Sequence, residues 1–333
     1  MHTSNPPCRP WAVLLAPGVL LLALLAACSE GPAPVPGTTP ASGPDTSIST
    51  AASSGPPPSP DYVRGLQAWR NNRIQRLKAP DGWLSLAGLF WLKEGANTFG
   101  ADAGQDLVVP VKGAPPRIGT FTLTGDQVRF AAATGADVRQ AGAPVREVVC
   151  KSDAESTTTL LTCGTLSWFV IRRGDKVGVR LKDSANPRIA QLTDIPMFPM
   201  ETAWRVTATL LRYPEPREVL TPTVIGGVIK QKSPGVLSFK IAGQSCRLQP
   251  VEESDGSLFV VFGDATSGTE TYGGGRFLEI PKPDGTNKTI IDFNRAYNPP
   301  CVFSPYATCP LPTSDNILPV RVTAGEKMVL GFH

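Results

Sequence analysis

Short runs of β-branched and aromatic residues recur from about residue 95 onwards, and this pattern limits the fold of the 333-residue chain more than any other feature. Gly, Asp and Pro separate the runs at the spacing of strands and turns. Examples are QVRFAAA, LSWFVIRR and KVGVRLKD before residue 190, and GVLSFKIAG and SLFVVFGD after it. Because strands do not alternate with long helical segments, a parallel α/β sheet is not expected. The pattern predicts a mainly β protein.

One amphipathic helix precedes the β-rich region. In DYVRGLQAWRNNRIQRLKAP, apolar residues such as Leu66 and Leu77 recur at helical spacing, and Pro80 follows, so a helix is predicted from about 61 to 78. Its arginines are interpreted as a solvated or partly packed edge. A connector broken by prolines, IPMFPMETAW (195–204), interrupts the strand pattern. We therefore expect two packed antiparallel β units, built as a sandwich or a barrel: the helix with a β-sandwich over 61–190, and a second unit over 191–333.

The first 60 residues predict export and lipid anchoring. A short apolar run, Ala12 to Ala27, follows Arg9 and is interrupted by Pro17 and Gly18, which is typical of a signal peptide over 1–27. The run ends in Leu-Ala-Ala-Cys, which resembles a bacterial lipobox with Cys28 as the lipidated residue. Residues 28–60 lack aromatic side chains and are expected to form a disordered linker.

Localisation follows from the same segment. Ser29 follows Cys28 where some lipoproteins have Asp, which resembles the outer-membrane sorting pattern. A periplasm-facing outer-membrane lipoprotein, held at the membrane by its N-terminal lipid, is the predicted location. An ordinary secretory signal with an incidental cysteine is the alternative.

Cysteine spacing in an exported chain suggests disulfides. Outside the signal peptide and the lipobox the cysteines are Cys150, Cys163, Cys246, Cys301 and Cys309. Cys301 and Cys309 share one proline-constrained loop, and a bridge there contributes about 2–3 kcal/mol. Cys150 and Cys163 flank the polar turn KSDAES, so they are a second candidate pair that closes a hairpin. Cys246 is left as a buried thiol.

The residue types and motifs present argue against several kinds of catalytic and binding site. The histidines are His2 and His333 only, so neither a Ser-His-Asp triad nor a histidine metal site is expected in the folded part. TYGGGRF is glycine-rich but lacks the Lys-Ser/Thr of a P-loop. The net charge of +4 comes without a block of Lys and Arg, which argues against nucleic-acid binding. We expect no cofactor, no metal and no nucleic-acid partner.

Tryptophans near the helix raise the possibility of a sugar-binding surface. Trp83 and Trp91 both lie in GWLSLAGLFWLKEG. Their neighbours are aliphatic, so we expect this segment to lie in the core.

The candidate site lies in LFVVFGDATSGTETYGGGRFLEIPKPDGTNKTIIDFNRAYNPPC. Three strand-like runs, about 258–263, 276–281 and 289–293, are expected to form an antiparallel meander, which places Asp264, Arg276 and Asp292 at one end. Further polar side chains are predicted at the same rim and are the candidate ligand-binding residues together with Arg276: Thr266, Ser267, Tyr272, Asn294, Tyr297 and Asn298.

Three interpretations of this rim stay open. The preferred one is a site for a small polar or anionic molecule or a glycan, with Arg276 as the charge partner. The second is a hydrolase in which Asp264 and Asp292 form an acid/base pair, as in glycosidases. The third is a scaffold without a small-molecule site, in which a buried Asp–Arg pair closes the end of the β unit.

Several motifs together carry a family resemblance. GWLSLAGLFWLKEG, DATSGTETYGGGRFL and DFNRAYNPPC, followed by ATCPLP, DNILPV and AGEK, resemble an uncharacterised bacterial and archaeal family, domain-of-unknown-function family 1684. The resemblance extends from about residue 62 to 327. It implies that the rim residues belong to the motifs that define the family, and it implies no activity or ligand. Residues 95–183 are loosely similar to forkhead-associated domains, although the histidine and the paired recognition residues of that family are absent.

Overall fold

The computed structural model describes residues 55–332, which are mainly β. The signal peptide, the lipidation site at Cys28 and most of the predicted linker lie outside the described residues. The strands in chain order are β1 (Leu86–Trp91), β2 (Gly95–Gly100), β3 (Leu107–Val108), β4 (Gly119–Thr124), β5 (Gln127–Ala132), β6 (Arg139–Gln140), β7 (Ala143–Pro144), β8 (Glu147–Cys150), β9 (Leu161–Cys163), β10 (Leu166–Arg173), β11 (Lys176–Asp183), β12 (Arg205–Pro222), β13 (Val228–Ile241), β14 (Gln244–Leu248), β15 (Val251–Glu252), β16 (Leu258–Phe262), β17 (Arg276–Ile280) and β18 (Lys288–Asp292). The α-helices are α1 (Pro60–Lys78) and α2 (Arg188–Gln191), and short 3-10 helices lie at Trp83–Ser85, Thr202–Trp204, Phe293–Arg295, Pro300–Val302 and Ser314–Asn316.

The predicted helix is confirmed as α1, with both of its ends explained by local chemistry. The Ser59 hydroxyl caps the first turn by accepting from the Tyr62 N–H at 3.3 Å, and Pro60 occupies a position where no N–H is needed. The helix ends at Lys78, and Ala79 precedes Pro80 in extended conformation. No helix of residues 55–332 has the length and hydropathy required to span a membrane.

Helix α1 packs through a face that contains a buried charge. Leu66 and Leu77 are buried on this face, and so is Arg73, which the sequence placed at a solvated or partly packed edge. Arg73 forms a buried salt bridge with Glu326, whose second carboxylate oxygen accepts from the Asn298 N–H at 2.7 Å. The guanidinium also donates to the Asn298 carbonyl at 2.8 Å. The arginine is therefore part of the contact that attaches α1 to the chain's C-terminal segment.

Two of the sheets face each other across an apolar core. One sheet has the order β1-β11-β10-β9-β6-β7 and the other β3-β2-β4-β5-β8; of their pairings only β2–β3 is parallel. Their inward side chains form one core, in which Phe99, Phe121, Phe130 and Trp168 meet at ring-centroid distances of 4.8 to 5.7 Å. Such close aromatic packing is typical of a sandwich interior. No sheet of the described residues closes on itself into a barrel.

The later strands form a second core. One sheet has the order β14-β13-β12-β18 and another β15-β16-β17, and all of their pairings are antiparallel. Phe262 and Phe293 pack in this core with their ring centroids 5.6 Å apart. The two cores lie on either side of residue 190, where the sequence places a boundary between units. Smaller apolar clusters combine residues from both sides, so the sheets pack against each other.

The structure corrects the hairpin predicted for Cys150 and Cys163. Strand β8, which ends at Cys150, pairs with β5, whereas β9, which ends at Cys163, pairs with β10. The polar segment between them crosses from one sheet of the sandwich to the other. Both thiols are free and buried, and both belong to the same core.

The predicted meander is correct only in its first half. Strands β16 and β17 pair as expected, but β18 pairs with β12, in a register that places Asp292 opposite Arg205. Strand β13 pairs along one edge of β12, and β18 pairs along the other edge over Arg205–Thr209. The end of β18 is consequently in a different sheet from the ends of β16 and β17.

Candidate functional site

Asp264 and Arg276 form a closed ion pair. Arg276 Nη2 lies 2.8 Å from Asp264 Oδ2, and the two side chains are 1% and 0% exposed. The other oxygen, Asp264 Oδ1, accepts from the N–H groups of Thr266 at 2.8 Å and Val322 at 3.1 Å. Arg276 also donates to the carbonyls of Val322 and Ala324. Burial lowers the pKa of Arg276. The pair joins the 264–276 loop to the C-terminal segment, and a ligand has no access to it in this structure.

Asp292 is engaged elsewhere. Its two carboxylate oxygens accept from the Tyr62 hydroxyl at 2.9 Å, and the Nε atoms of Arg205 and Arg295 lie 3.6 and 3.7 Å away. Burial, followed by the Asp292 charge, raises the pKa of Tyr62. Asp292 thus fastens α1 to β18. It has no partner in common with Asp264, and the structure does not assemble the acid/base pair of the hydrolase hypothesis.

Most of the other predicted rim residues bond to their own protein. Thr266 and Ser267 hold the Asp264 turn, and the Asn294 amide exchanges hydrogen bonds with the Glu201 backbone. The Asn298 amide donates to the Lys327 carbonyl at 2.8 Å. Tyr272 is half-buried and bonds to the Cys301 thiol. Of the predicted set, only Tyr297 lines the cavity described below.

Cys301 and Cys309 lie in contact. Both are free thiols, and the Cys301 N–H donates to Cys309 Sγ at 3.1 Å. The hydrogen bond from the Cys309 thiol lowers the pKa of Cys301, whereas the pKa of Cys309 is raised. The loop therefore brings together the two sulfur atoms that the sequence predicts to form a disulfide, and the bridge itself stays a prediction.

A cavity of about 630 Å³ lies among α1, the six-stranded sheet and the three-stranded sheet. Its aromatic lining consists of Trp69, Trp83, Phe169, Phe259, Phe277 and Tyr297. Its charged lining consists of Arg73, Arg76, Arg180, Lys182, Asp81 and Glu279. This cavity combines apolar surface with charged groups of both signs, which is the composition of a small-molecule site.

Strand alternation determines which side chains reach the cavity. In β11, Val179 and Leu181 enter the sandwich core, so Arg180 and Lys182 project from the opposite face of the sheet. Phe169 lies directly opposite Arg180 on the neighbouring strand β10 and shares that face. Strands β10 and β11 therefore place one aromatic ring and two cations in the same wall of the cavity.

Arg180 is a buried cation without a carboxylate partner. The residue is 4% exposed, its Nε has no hydrogen-bond partner, and among residues 55–332 it forms no salt bridge. Its Nη2 donates to Thr308 Oγ1 at 3.0 Å, a hydroxyl that also accepts from Arg173 Nε at 3.1 Å. The nearby carboxylate, Asp153, is already paired with Arg173 at 2.8 Å. Burial, and then the charge of Arg173, lowers the pKa of Arg180 to about 10.

Two neighbours extend this cationic wall. Lys182 donates to the Asp81 carbonyl, and burial lowers its pKa. The Trp83 ring lies with its centroid 5.6 Å from the Arg180 guanidinium carbon. Trp83 is 38% exposed, so the prediction that it belongs to the core is wrong, although Leu84 and Leu86 beside it are fully buried. Here an aromatic ring and a guanidinium share the cavity surface.

The three-stranded sheet supplies a carboxylate. The Tyr297 hydroxyl donates to Glu279 Oε1 at 3.0 Å, and burial, followed by the Glu279 charge, raises the pKa of Tyr297. The Arg73 guanidinium carbon lies 4.4 Å from the centroid of the Tyr297 ring. Since Arg73 is neutralised by Glu326, it does not compete for Glu279.

The sequence offered no signal that singles out Arg180. The alternation in KVGVRLKD places it on the face away from the core, where a single sheet would leave it in solvent. It becomes buried because Thr308 and Trp83 contact it there, while α1 and the three-stranded sheet line the rest of the cavity. In the described part of the chain, no cluster of His, Cys, Asp and Glu is arranged to hold a metal ion.

Comparisons with known proteins confirm the motif resemblance over residues 190–327, whereas residues 62–189 lie outside the matched range. Residues 190–327 match the family described as "Protein of unknown function (DUF1684)". Among solved structures, the chain is similar to an uncharacterized protein from gene locus rrnAC0354 of Haloarcula marismortui, with 30% identity over 42% of this chain and 80% of that chain and a TM-score of 0.36. A search of the curated proteins found no match.

Two further solved structures contain FHA domains. The Rv0020c FHA structure has 18% identity over 28% of this chain and 89% of that chain, with a TM-score of 0.20. The FhaA FHA domain complexed with the intracellular domain of Rv3910 has 16% identity over 28% of this chain and 97% of that chain, with a TM-score of 0.18. At these TM-scores the matches support no structural argument.

Proposed function

Because the chain belongs to the DUF1684 family, whose function is unknown, we propose a function from its own geometry: it is a binding protein for a small anionic molecule, which it holds in the 630 Å³ cavity. The observation that carries the proposal is Arg180, a cation that is 4% exposed and has no carboxylate partner among the described residues. The proposal keeps the ligand class favoured by the sequence and replaces Arg276 by Arg180 as the charge partner.

The electrostatics of burial support an anionic ligand. A buried guanidinium lacks the hydration of its charge, and a nearby anion or several hydrogen bonds are needed to replace it. Arg276 has both, whereas Arg180 has one hydrogen bond, to Thr308, and the contact with the Trp83 ring. A carboxylate or phosphate of a ligand supplies the missing charge and a geometry that matches a guanidinium.

Shape and composition support a ligand with an apolar body. Small-molecule sites usually enclose about 300–1,000 Å³, so the cavity is large enough for a drug-sized molecule. Six aromatic side chains line it. Of the four lining cations, Arg73 is neutralised by Glu326 and Arg76 lies near Tyr297, which leaves Arg180 and Lys182 on the six-stranded sheet to face an anion, with Asp81 near Lys182.

Binding of simple aromatic anions tests this proposal. We would titrate 4-methylbenzoate and phenyl phosphate into the wild-type protein, Arg180→Met and Arg129→Met by calorimetry. Arg129 is an exposed arginine of the opposite sheet of the sandwich, so Arg129→Met is a matched control. We expect wild type and Arg129→Met to bind at least one probe equally well, and Arg180→Met to bind it at least tenfold more weakly. Equal binding by Arg180→Met, or no binding of either probe to wild type, overturns the proposal.

The location of the protein is part of the proposal. The lipobox-like Leu-Ala-Ala-Cys supports a lipid anchor at Cys28, and the following serine supports a periplasm-facing position at the outer membrane. Metabolic labelling with a tagged fatty acid, followed by membrane fractionation, tests both. We expect label and outer-membrane localisation for the wild type and neither for Cys28→Ala. An unlabelled wild-type protein contradicts the anchor.

A further inference from the structure

A second part of the cavity wall has a chemistry that the anion proposal does not use. Glu279 and Phe277 lie two residues apart on β17 and share one face, and Phe259 is directly opposite Glu279 on β16. The Phe259 and Phe277 rings meet edge to face with centroids 5.1 Å apart. Tyr297 packs on Phe277 at 5.8 Å and donates its hydroxyl to Glu279. One exposed carboxylate thus lies beside three aromatic side chains.

The carboxylate of Glu279 is oriented but not neutralised. The hydrogen bond from Tyr297 at 3.0 Å engages Oε1, and among residues 55–332 Glu279 forms no salt bridge. The raised pKa of Tyr297 keeps its hydroxyl protonated and able to donate. Oε2 therefore remains available to a donor that enters the cavity.

Aromatic rings next to a carboxylate form a binding site for an ammonium group. The π faces attract a cation, and the carboxylate supplies a formal charge partner. A neutral hydroxyl gains only the hydrogen bond. The six-stranded sheet contributes the opposite chemistry to the same cavity, since Arg180 and Lys182 line it there. The two sheets thus present opposite charges to one cavity, and α1 adds Arg76 near Tyr297.

We infer that the ligand is a zwitterion, an inference that rests on the proposed anion site. The anionic group of the ligand pairs with Arg180, and its ammonium group pairs with Glu279. An apolar body joins the two groups, and the rings of Phe259, Phe277 and Tyr297 lie next to the ammonium group. Glu279 then determines specificity, because a zwitterion can pair its ammonium group with Glu279 and a simple anion cannot.

Two probes that differ only in the ammonium group test the inference. 4-(Aminomethyl)benzoate and 4-methylbenzoate have the same ring and carboxylate. Calorimetry would measure the dissociation constants of both for the wild type, Glu279→Gln and Arg180→Met. We expect the wild type to bind the aminomethyl compound at least tenfold more tightly than the methyl compound. Glu279→Gln should reduce that preference to less than threefold by weakening the binding of the aminomethyl compound, and Arg180→Met should weaken the binding of both.

The outcomes separate this inference from the proposed function. If the wild type binds both probes equally and both depend on Arg180, the zwitterion is wrong and the anion site stands. A preference that persists in Glu279→Gln also refutes the role of Glu279. If neither probe binds the wild type, both proposals are refuted. A third probe, 4-(hydroxymethyl)benzoate, distinguishes an ammonium group from a hydroxyl. If it gains as much affinity over 4-methylbenzoate as the aminomethyl compound does, the ligand is a hydroxylated anion and not a zwitterion. Glu279 is exposed, so Glu279→Gln should keep the wild-type melting temperature.

Discussion

Replacing Arg180 with methionine should stabilise the protein in the absence of ligand. Methionine keeps the apolar stem that packs in the cavity wall and removes a buried charge that has no carboxylate partner. The substitution leaves no polar group stranded, because Thr308 still accepts from Arg173. A binding site that holds a charge ready for its ligand reduces the stability of the unliganded protein, and Arg180→Met reverses that effect.

The size of the effect follows from the pKa of Arg180. Its fall from 12.5 to about 10 corresponds to about 3 kcal/mol, at about 1.4 kcal/mol for each tenfold change. Folding lowers this pKa, so the charged form destabilises the folded protein at every pH below 10, and the cost disappears only as the pH rises from 10 towards 12.5. The lost hydrogen bond to Thr308 offsets about 1 kcal/mol. We expect a net gain of about 2 kcal/mol at pH 7.

Urea unfolding at pH 7 measures this gain, and Arg173→Met is its matched control. Both arginines donate to Thr308, but Arg173 has Asp153 as a carboxylate partner at 2.8 Å. Arg173→Met should therefore lower the free energy of unfolding by about 1 kcal/mol or more, because it leaves Asp153 without its partner. A loss of 2 kcal/mol or more in Arg180→Met would show that Arg180 is a structural residue whose charge does not destabilise the folded protein.

Three further predictions follow from the contacts. Arg276→Met should lower the free energy of unfolding by about 3–5 kcal/mol in urea denaturation, since Asp264 is left charged and buried; a loss below 1 kcal/mol would contradict the closed ion pair. If the proposed export holds, alkylation and mass spectrometry should find Cys301 and Cys309 joined in protein from the periplasm, with the bridge adding about 2–3 kcal/mol to the free energy of unfolding; two alkylated thiols would contradict this. Tyr62→Phe should lower the free energy of unfolding in urea by about 1.5–3 kcal/mol, because the Tyr62 hydroxyl donates to the Asp292 carboxylate at the end of β18. An unchanged urea midpoint would show that the attachment of α1 does not depend on this hydrogen bond.

The sequence predicted elements whose signals are local. Helix α1 has a serine cap, a proline at its start and another after its end, so it could be placed within a residue or two. The antiparallel, mainly β class followed from alternation within each run. Pairing between distant segments could not be predicted. Strand β18 pairs with β12, whose paired residues lie 79 to 87 positions earlier, and nothing in either segment specifies that partner.

The candidate site shows the same limit. Polar residues crowded between Asp264 and Asn298 indicated a site, yet most of them satisfy buried groups of their own protein, because a turn that is covered by other segments must pair its backbone and its charges internally. Tyr297 was identified and lines the cavity. Arg180 was not, because its meaning depends on which segments cover β11 and on the absence of a carboxylate among them. The sequence shows that a residue is charged, but it does not show whether the fold places an opposite charge beside it.

The most direct test of the account is to locate a bound aromatic anion. A crystal of the protein soaked with 4-iodobenzoate would show the iodine by its anomalous scattering and the carboxylate in the density. We expect one ligand in the cavity between β11 and β17, with its carboxylate within hydrogen-bonding distance of the Arg180 guanidinium. A ligand that occupies a different cavity, or a cavity that stays empty while Arg180 keeps only Thr308 as its partner, would contradict it.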